Sequence, residues 1–479
     1  MKKVEIEEQL ASSRPEKFNR KNSMYITSFR RTYLFMKLFK KHLKSMIISG
    51  ITASIVAPIA LNAEQVVQAA PQAPEIEAEA ALVVDFDTNQ ILLNQNADSQ
   101  RGIASMTKML VEYLLFQEIE SGNLDWSTET TISEYAHQIS QNYELSNVPL
   151  RQGETYTIEE LYQALAIYSA NGATIAIAEE IAGSEPELVD RMRELVESWG
   201  ITEFELYNTT GLSNASLGDN IYPGSTAENE NIMSARGIAT VASHLLRDYP
   251  DVLKTSSIPS MVFREGTSDA IQMKNWNWML EGLIHERPNV DGLKTGTTPF
   301  AGATFTGTAV EDGRRIITVV MGAGDGVTNR AQRFDETDKL MNYGFGGWDS
   351  ATIMEENTVL EDVEPLMIRN GQEDQVELMT SESVDYLLPE GISQEDVKWT
   401  FTPDEEALSQ DGTLEAPVEK GQNVGTLTFS FEGDDLGYLN GSEHKSISVV
   451  TSEAVDRAGF FSVLGTWFGD FFSSIMNRF

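Results

Sequence analysis

The 479-residue sequence contains no cysteine and only five histidines. Without cysteine there can be no disulfide framework, so the folded state must be stabilised by the size of its core. The histidines are scattered and form no H-x-x-x-H pair, which leaves a zinc peptidase without its ligands. No G-x-S-x-G motif occurs either, so the chain lacks the nucleophile turn of many Ser-His-Asp hydrolases.

Positive charge is scarce as well. The 35 lysines and arginines face 73 aspartates and glutamates, which gives a formal net charge of -38. Such acidity argues against nucleic acid or an acidic membrane surface as the main partner of the folded body. With 41% hydrophobic residues, the chain can build more than one core, and we expect two globular domains.

The amino-terminal region has the opposite charge balance. Residues 1–45 contain twelve lysines and arginines against four acidic residues, and the apolar stretch SMIISGITASIVAPIALNA follows. A basic region, a short apolar run and a small-residue cleavage site are typical of a secretory signal peptide. We therefore expect residues 1–70 to direct export, with a transmembrane anchor as the alternative and Met36 as an alternative start. Residues 71–80, rich in Pro, Ala and Glu, are expected to form a spacer.

Residues 456–479 combine a helical period with an aromatic face. Large apolar side chains recur there at Phe460, Phe461, Leu464, Trp467, Phe468, Phe471, Phe472, Ile475 and Met476. The period predicts an amphipathic helix lying in the membrane interface, where Trp and Phe are favoured. A terminal helix packed on its own domain is the alternative, and the segment is too short and too polar to span a bilayer. The two ends together predict an exported protein held at the outer face of the cytoplasmic membrane.

The patterns between residues 81 and 348 predict an α/β (α+β) domain in which a mixed sheet carries a layer of helices. One hairpin surrounds DTNQ, and another joins GATFTGTAV to RIITVVMGA through EDGR. A buried helix is expected from Met106 to Phe116, followed by helices in TIEELYQALAIYSANGATIAIAEEIAG and PELVDRMRELVESWG. Residues 352–452 show only short strands and turns, which predicts a small all-β domain joined through GFGGWDS from residue 344.

Ser105 and Lys108 stand three positions apart at the start of the apolar run GIASMTKMLVEYLLF. On a helix, side chains at this spacing share one face, so the lysine can reach the hydroxyl. A serine needs a neighbouring base to act as a nucleophile, and a lysine can be that base when burial or a second cation lowers its pKa. Alone, the S-x-x-K pattern is a weak signal, because it recurs at Ser442 and Lys445 in a turn-rich, solvated region.

Two later motifs strengthen this signal. YSANG places Ser169 and Asn171 in a helix interruption, where their side chains can face a cleft. VDGLKTGTT places Lys294 at the start of a strand, where the cation can hold a carboxylate. Gly296 beside it lets a ligand backbone lie against the strand edge. The order S-x-x-K, S-x-N, K-T-G in an exported chain indicates a serine nucleophile.

On these motifs, residues 80–345 resemble the serine penicillin-recognising enzymes, and among them the D-alanyl-D-alanine carboxypeptidase family of low-molecular-mass penicillin-binding proteins. The segment GITEFELYNTTGLSN is similar to that family's Asn-x-x-Gly-Leu stretch, at Asn208, Gly211 and Leu212. The trailing β domain and the amphipathic terminus also resemble the family's architecture. The chain departs from the family in having Ser-Ala-Asn where Ser-Gly-Asn is common, and Gly237 where an acidic residue is expected.

The resemblance implies a β-lactamase/transpeptidase-like catalytic domain that removes the terminal D-alanine from peptidoglycan stem pentapeptides without a cofactor or metal. It implies that Ser105 attacks the carbonyl between two D-alanines and becomes an acyl ester. Lys108 would accept the proton, and Ser169 would relay a proton to the leaving amine. The backbone N–H groups of Ser105 and Thr297 would form the oxyanion hole. Water would then free the enzyme, and β-lactams would acylate the same serine.

The resemblance assigns binding roles as well. Asn171 would hold the substrate amide, and Lys294, Thr295 and Thr297, with Gly296 between them, would bind the terminal carboxylate. A class A β-lactamase is one alternative, since it shares the three motifs and EFELYN approximates its glutamate loop. The residue order differs, however, and the extra β domain does not suit a compact lactamase. A non-catalytic wall-binding protein on the same fold is the other alternative, against which the intact motifs argue.

Overall fold

The computed structural model of the chain describes residues 72–324, 328–433 and 436–459. The expected signal peptide at 1–70 and residues 460–479 of the expected terminal helix lie outside these ranges. Residues 456–459 are described and are not helical, because Arg457 forms an isolated β-bridge with Gly371. The helix prediction is therefore wrong for its first four residues. Within the described ranges, no helix has the length and apolarity needed to cross a membrane.

A five-stranded antiparallel sheet lies at the centre of the first domain. Its strands, in spatial order, are β10 (Val290–Thr298), β11 (Gly302–Glu311), β12 (Arg314–Ala323), β1 (Ala80–Asp85) and β2 (Ile91–Gln95). Both predicted hairpins are present, β1–β2 and β11–β12, and they lie side by side because β1 pairs with β12. Strand β10 consequently forms one edge of the sheet.

Helices cover both faces of this sheet. In chain order they are α1 (Lys108–Glu120), α2 (Glu134–Ser140), α3 (Ile158–Tyr168), α4 (Asn171–Ala182), α5 (Glu185–Ser198), α6 (Ala235–Asp248), α7 (Leu253–Ser256) and α8 (Gln332–Phe345). Alternate residues of β1 face opposite layers: Leu82 belongs to the cluster that contains α1 and α6, and Val83 to the cluster that contains α8. Every residue of β1 is therefore buried.

The chain breaks its helices where the sequence predicts. Helix α3 begins with a capping box between Thr157 and Glu160, which satisfies free backbone N–H groups at the helix start. It ends at Tyr168 and is capped by Ser169, whose φ of 57° is left-handed, and α4 begins at Asn171. Helix α1 is buried from Lys108 through Phe116, as expected, although it starts later than Met106 because residues 104–107 form a 3-10 turn.

Three small sheets complete the first domain. One has three strands, in the order β3 (Arg101–Gly102), β7 (Ile232–Met233) and β6 (Phe204–Glu205). The other two are the pairs β4 (Glu129–Thr131) with β5 (Thr155–Thr157) and β8 (Ser260–Phe263) with β9 (Ile271–Lys274). The expected spacer is only partly correct. Ile76 is buried and the Glu77 N–H donates to Glu336 at 3.0 Å, so residues from Ile76 onward pack against the domain.

The second domain consists of small sheets around its own core. Its strands are β13 (Trp348–Met354), β14 (Leu366–Arg369), β15 (Gln375–Val376), β16 (Leu378–Thr380), β17 (Val384–Pro389), β18 (Lys398–Pro403), β19 (Leu414–Glu415), β20 (Asn423–Ser430) and β21 (Lys445–Thr451). The connection from α8 consists of Gly346 and Gly347 alone. The expected joint GFGGWDS is longer than this, because its first residues belong to α8 and its last to β13.

The second domain packs on the β2 end of the central sheet. The Gln90 side chain donates to the Leu387 carbonyl at 3.0 Å and accepts from the Leu387 N–H at 3.0 Å. The Ile91 N–H donates to the Gly437 carbonyl at 3.0 Å, and the Leu439 N–H donates to the Asn89 carbonyl at 2.9 Å. These main-chain bonds place the β domain far along the sheet from β10.

Candidate active site

Ser105 lies in the 3-10 turn Ala104–Thr107, which runs directly into α1. The sequence predicts it on a helix, and the turn preserves the closeness that this prediction requires. The Lys108 Nζ lies 3.1 Å from the Ser105 Oγ, so the two groups are within hydrogen-bond distance. The serine and lysine of the S-x-x-K motif therefore meet as expected.

Lys108 is completely buried and contacts three oxygen atoms. Besides Ser105, its Nζ donates to Asn171 Oδ1 at 2.8 Å and to the Thr210 carbonyl at 2.6 Å. A neutral amine has two N–H groups and one lone pair, so two fixed acceptors direct the lone pair toward the remaining contact, the serine hydroxyl. Burial, together with the like charge of Lys294, lowers the pKa of Lys108 well below its usual 10.5.

The S-x-N motif lies near Ser105 and Lys108. Ser169 is buried at the left-handed end of α3, and its Oγ accepts a hydrogen bond from Lys294 Nζ at 2.9 Å. Asn171 opens α4, and its Nδ2 donates to the Ser146 carbonyl at 3.0 Å while its Oδ1 accepts from Lys108. The helix interruption therefore brings the two polar side chains to the two lysines.

Lys294 lies in the middle of β10, so its predicted place at a strand start is wrong. The strand begins at Val290 because the apolar residues before the lysine already pair with β11. Its ammonium group is buried, and donates to Ser169 and to the Thr295 carbonyl at 3.1 Å. Burial lowers the pKa of Lys294, the charge of Glu112 opposes this shift and nearby Arg333 reinforces it, so that the pKa lies at about 8.

Gly296 is required for a different reason from the predicted one. A Cβ added there would lie 2.5 Å from Thr304 Oγ1 and 2.8 Å from the Ile103 carbonyl oxygen. The space that a side chain would need at Gly296 is thus filled by Thr304 and by the backbone of Ile103, two residues before Ser105, and not by a ligand. Gly296 therefore allows β10 to approach closely the 3-10 turn Ala104–Thr107 that carries Ser105, which we call the nucleophile turn.

Arg333 is a site residue that no sequence motif marks. It lies on α8 and is buried, and its guanidinium donates to Thr297 Oγ1 at 2.7 Å and to the Gly296 carbonyl at 2.6 Å. Burial lowers the pKa of Arg333, yet a guanidinium stays protonated at neutral pH. One cleft is lined by Ser105, Ser169, Asn171, Thr295, Gly296, Thr297 and Arg333, together with Trp276 and Trp278.

Two buried carboxylates accompany the lysines, and the motifs identify neither. Glu112 is buried one helical turn beyond Lys108 on α1, and burial raises its pKa to about 7 against the opposing charges of Lys294 and Lys108. Glu185 is buried at the start of α5 and accepts hydrogen bonds from Thr209 and Tyr135. A glutamate inside the otherwise apolar α1 run was the available signal for Glu112.

Other positions singled out in the sequence lie elsewhere. Ser442 is exposed in a turn, where its Oγ donates to Asn440 at 2.7 Å. Glu203 lines a separate groove rather than the Ser105 cleft, which disagrees with a β-lactamase glutamate loop. The Gly237 N–H donates to the Oγ of Ser234, the N-cap residue, at 3.0 Å. The start of α6 is therefore capped although position 237 lacks the expected acidic residue. Across the described ranges, no group of three or more His, Asp or Glu is placed to hold a metal ion.

Comparison with known proteins agrees with this geometry. The D-alanyl-D-alanine carboxypeptidase family model matches residues 67–325, and the model of the penicillin-binding protein 5 C-terminal domain matches residues 348–457. D-alanyl-D-alanine carboxypeptidase DacF of Bacillus subtilis is 28% identical over 430 residues, which cover 90% of this chain and 98% of that protein. DacC of Escherichia coli is 28% identical over 428 residues, covering 87% of this chain and 95% of that protein.

Solved structures show the same similarity. A peptidoglycan synthesis regulatory factor (PBP3) from Streptococcus pneumoniae superposes with a TM-score of 0.65 at 36% identity, covering 80% of this chain and 100% of that one. Penicillin-binding protein 5 of Haemophilus influenzae gives a TM-score of 0.63 at 25% identity, covering 80% and 99%. The resemblance predicted from the motifs is confirmed. The chain belongs to the D-alanyl-D-alanine carboxypeptidase family and is a serine peptidase with an α/β catalytic domain and a carboxy-terminal β domain.

Proposed function

We propose that this carboxypeptidase removes the terminal D-alanine from peptidoglycan stem pentapeptides through an acyl-enzyme on Ser105. The observation that carries the assignment is the buried Lys108 amine, 3.1 Å from the Ser105 hydroxyl. A buried lysine with a lowered pKa is neutral often enough to accept a proton. A serine beside such a base is an activated nucleophile.

In the first half of the reaction, the Ser105 Oγ attacks the carbonyl carbon between the two D-alanines and its proton passes to Lys108. The backbone N–H groups of Ser105 and Thr297 stabilise the negative oxygen of the tetrahedral intermediate. The carbon–nitrogen bond then breaks, and Ser169 relays to the leaving amine of D-alanine the proton that Lys108 took from Ser105, so that Lys108 is neutral again and Ser169 is unchanged. Because Ser169 accepts a hydrogen bond from Lys294 at 2.9 Å, its own hydroxyl hydrogen is directed toward another acceptor.

In the second half, water attacks the acyl ester while neutral Lys108 takes one of its protons. The ester bond then breaks, and Lys108 returns that proton to the Ser105 Oγ, which restores the serine. β-Lactams acylate Ser105 in the same way, because their strained amide occupies the position of the scissile bond.

Substrate binding depends on cations around β10. Lys294, Thr295 and Thr297 bind the terminal carboxylate, and Arg333 adds a second positive charge through its contact with Thr297 at 2.7 Å. A guanidinium and an ammonium near one carboxylate give charge-assisted hydrogen bonds, which are stronger than neutral ones. Asn171 holds the substrate amide, and its Nδ2 then gives up the hydrogen bond to the Ser146 carbonyl for one to the substrate.

The test is Ser105→Ala, which is expected to abolish both labelling by fluorescent penicillin and release of D-alanine from a pentapeptide ending in two D-alanines. Ser442→Ala is the matched control, because it alters the second S-x-x-K occurrence and should retain both activities. Mass spectrometry of the penicillin adduct locates the acylated residue. An adduct on Ser105→Ala protein would contradict the assignment.

Two other outcomes would favour the alternative functions. Rapid turnover of a chromogenic cephalosporin by wild-type protein would indicate a β-lactamase. Failure of folded wild-type protein to take up penicillin would indicate a non-catalytic wall-binding protein. The exposed position of Glu203, outside the cleft, supports the carboxypeptidase over the lactamase.

For localisation, we infer that residues 1–70 direct export and that the aromatic residues of the terminal helix expected within 460–479 hold the enzyme at the membrane surface. The catalytic domain at 81–348 and the β domain at 352–452 would then lie outside the cytoplasm, where peptidoglycan is found. Removal of residues 460–479 spares the Arg457 bridge to Gly371 and is expected to release the protein into the soluble fraction. Continued membrane association of that truncation would instead implicate an uncleaved amino-terminal segment.

A further inference from the structure

The loop of residues 208–212 supplies one of the acceptors that orient Lys108. The Thr210 carbonyl accepts from Lys108 Nζ at 2.6 Å. The same peptide group is held on its opposite side, because the Gly211 N–H donates to Asn208 Oδ1 at 2.7 Å. Asn208 Oδ1 also accepts from the Thr210 N–H at 3.2 Å and from its hydroxyl at 2.9 Å. The orientation of this carbonyl is therefore set by the loop's own hydrogen bonds.

Glu185 anchors this loop from outside. Its Oε1 accepts from the Thr209 N–H at 2.9 Å and from the Thr209 hydroxyl at 2.7 Å, and its Oε2 accepts from the Tyr135 hydroxyl at 2.6 Å. The carboxylate is only 4% exposed, and Thr209 and Thr210 are fully buried. Burial of a charged group is tolerated only when several donors satisfy it, and here three do. Moving the carboxylate would therefore move Thr209 and the carbonyl that follows it.

We propose that Glu185 is a positioning residue for acylation, which holds Thr209 so that the Thr210 carbonyl keeps the Lys108 amine directed at Ser105. Glu185 itself touches neither the nucleophile nor the base. It acts through one backbone carbonyl, and the effect rests on the proposed function of Lys108 as the proton acceptor. None of the three sequence motifs includes this residue.

The charge of Glu185 acts on the base in addition to its geometry. The charged groups that face Lys108 are Lys294 from β10, Glu185 from α5 and Glu112 from α1 itself. A carboxylate near an amine favours the protonated form, so Glu185 raises the pKa of Lys108 against the dominant effects of burial and Lys294. Only the neutral amine accepts a proton, so the acylation rate rises with pH as Lys108 loses its charge, and this rise is the acidic limb of the pH profile. Loss of the Glu185 charge lowers the pKa of Lys108 and therefore moves the acidic limb to lower pH.

The surroundings of Glu185 are equally defined. Burial raises the pKa of Glu185, while its hydrogen bonds to Thr209 and Tyr135 and the charge of Lys108 oppose that rise. On α4, Glu179 lies close enough for the charge of Glu185 to raise its pKa, and it accepts from Ser133 at 2.9 Å. Glu179 makes no hydrogen bond to the 208–212 loop, which makes it a suitable control.

The experiment measures the second-order rate constant of acylation by fluorescent penicillin against pH for three variants. Glu185→Gln keeps the size and one acceptor oxygen but removes the charge. It is expected to acylate within about threefold of wild type at its plateau, with the acidic limb at lower pH. Glu185→Ala removes the anchor and is expected to lose about 10- to 100-fold at every pH, as misplaced reacting groups do. Glu179→Gln should reproduce the wild-type profile.

A thermal melt of each variant separates misfolding from misplacement. If Glu185→Ala does not fold, the pH profile of Glu185→Gln still decides, since a merely structural glutamate would not shift the acidic limb. An unshifted limb in Glu185→Gln, or wild-type rates in folded Glu185→Ala, would overturn the positioning role. Absence of acylation in the wild-type protein would instead overturn the function of Ser105 on which it rests, so the two failures are distinguishable.

Discussion

Replacement of Gly211 by alanine is expected to impair acylation far more than the backbone strain alone would suggest. Gly211 has a φ of 73°, and a Cβ added to it would lie 1.8 Å from the Ala104 carbonyl oxygen and 2.9 Å from the Ser105 nitrogen. Since Cβ atoms essentially never come closer than 3.0 Å to other heavy atoms, the loop and the nucleophile turn must separate by about 1.2 Å or more. This separation disturbs the contacts of Lys108 Nζ with the Thr210 carbonyl and the Ser105 Oγ, which align the two side chains.

The magnitude follows from this displacement. A misplacement of about 1 Å in the reacting groups costs on the order of 100-fold in rate, which corresponds to about 2.7 kcal/mol of activation free energy. The left-handed backbone adds about 1–2 kcal/mol of strain for alanine, which lowers the free energy of unfolding. Gly218→Ala is the matched control, because Gly218 has a φ of 62° and nothing lies within 4 Å of its added Cβ.

The assay pairs the second-order rate constant for fluorescent penicillin with the free energy of unfolding in urea. Both variants should lose stability, whereas only Gly211→Ala should lose about 100-fold in acylation. The two losses are separable because the rate is measured well below the denaturant midpoint. If the two variants acylate equally fast, the contact between the loop and the nucleophile turn does not control the reaction, and the reasoning fails.

Two further predictions concern Lys294, the cation proposed to bind the substrate carboxylate, and the contact between the two domains. The pKa of the buried Lys294 lies at about 8, so its positive charge is lost as the pH rises through that value. The KM for a D-alanyl-D-alanine peptide should therefore rise over the same pH range, and a KM that does not change with pH would contradict a carboxylate-binding role. Gln90→Ala leaves the buried backbone groups of Leu387 without their partners at 3.0 Å and should lower the free energy of unfolding by about 1–3 kcal/mol. The exposed Gln117→Ala should change that free energy by less than about 0.5 kcal/mol, and equal effects of the two would refute the domain contact.

The sequence predicts the parts of the site whose geometry is local. Ser105 and Lys108 need only one turn of backbone to meet, and Ser169 and Asn171 need only a helix break, so residue spacing was sufficient for both pairs. The hairpins are similarly local, because strand patterning and a turn signal lie within about twenty residues of one another. Family resemblance then supplied the roles that spacing alone left open.

The remaining site residues are joined across long separations. Thr210 contacts Lys108 across 102 positions, and Arg333 contacts Thr297 across 36. Single-sequence patterns report neighbours within a turn or a strand pair, whereas such contacts arise only when whole elements pack. A backbone carbonyl also carries no residue-type signal, so Thr210 could not have been identified from its side chain.

Gly296 illustrates a subtler limit. The pattern correctly indicates that a side chain is not tolerated there, but it does not distinguish a ligand backbone from the protein's own. In the structure the space belongs to Ile103 and Thr304. The expected spacer fails for a related reason, since its Pro, Ala and Glu content does not reveal that Ile76 has a pocket in the first domain.

The two edges of the central sheet have different neighbours. At the β2 edge, backbone groups of Asn89 and Ile91 pair with the segment around Leu439 in the β domain. At the other edge, β10 presents Thr295 and Thr297 to the cleft. An open strand edge is a template for any extended chain, including another copy of the same protein. The carboxy-terminal domain occupies part of the β2 edge, so this part is not available to another extended chain. The β10 edge, beside the cleft, is the edge of this sheet to which an extended peptide could add.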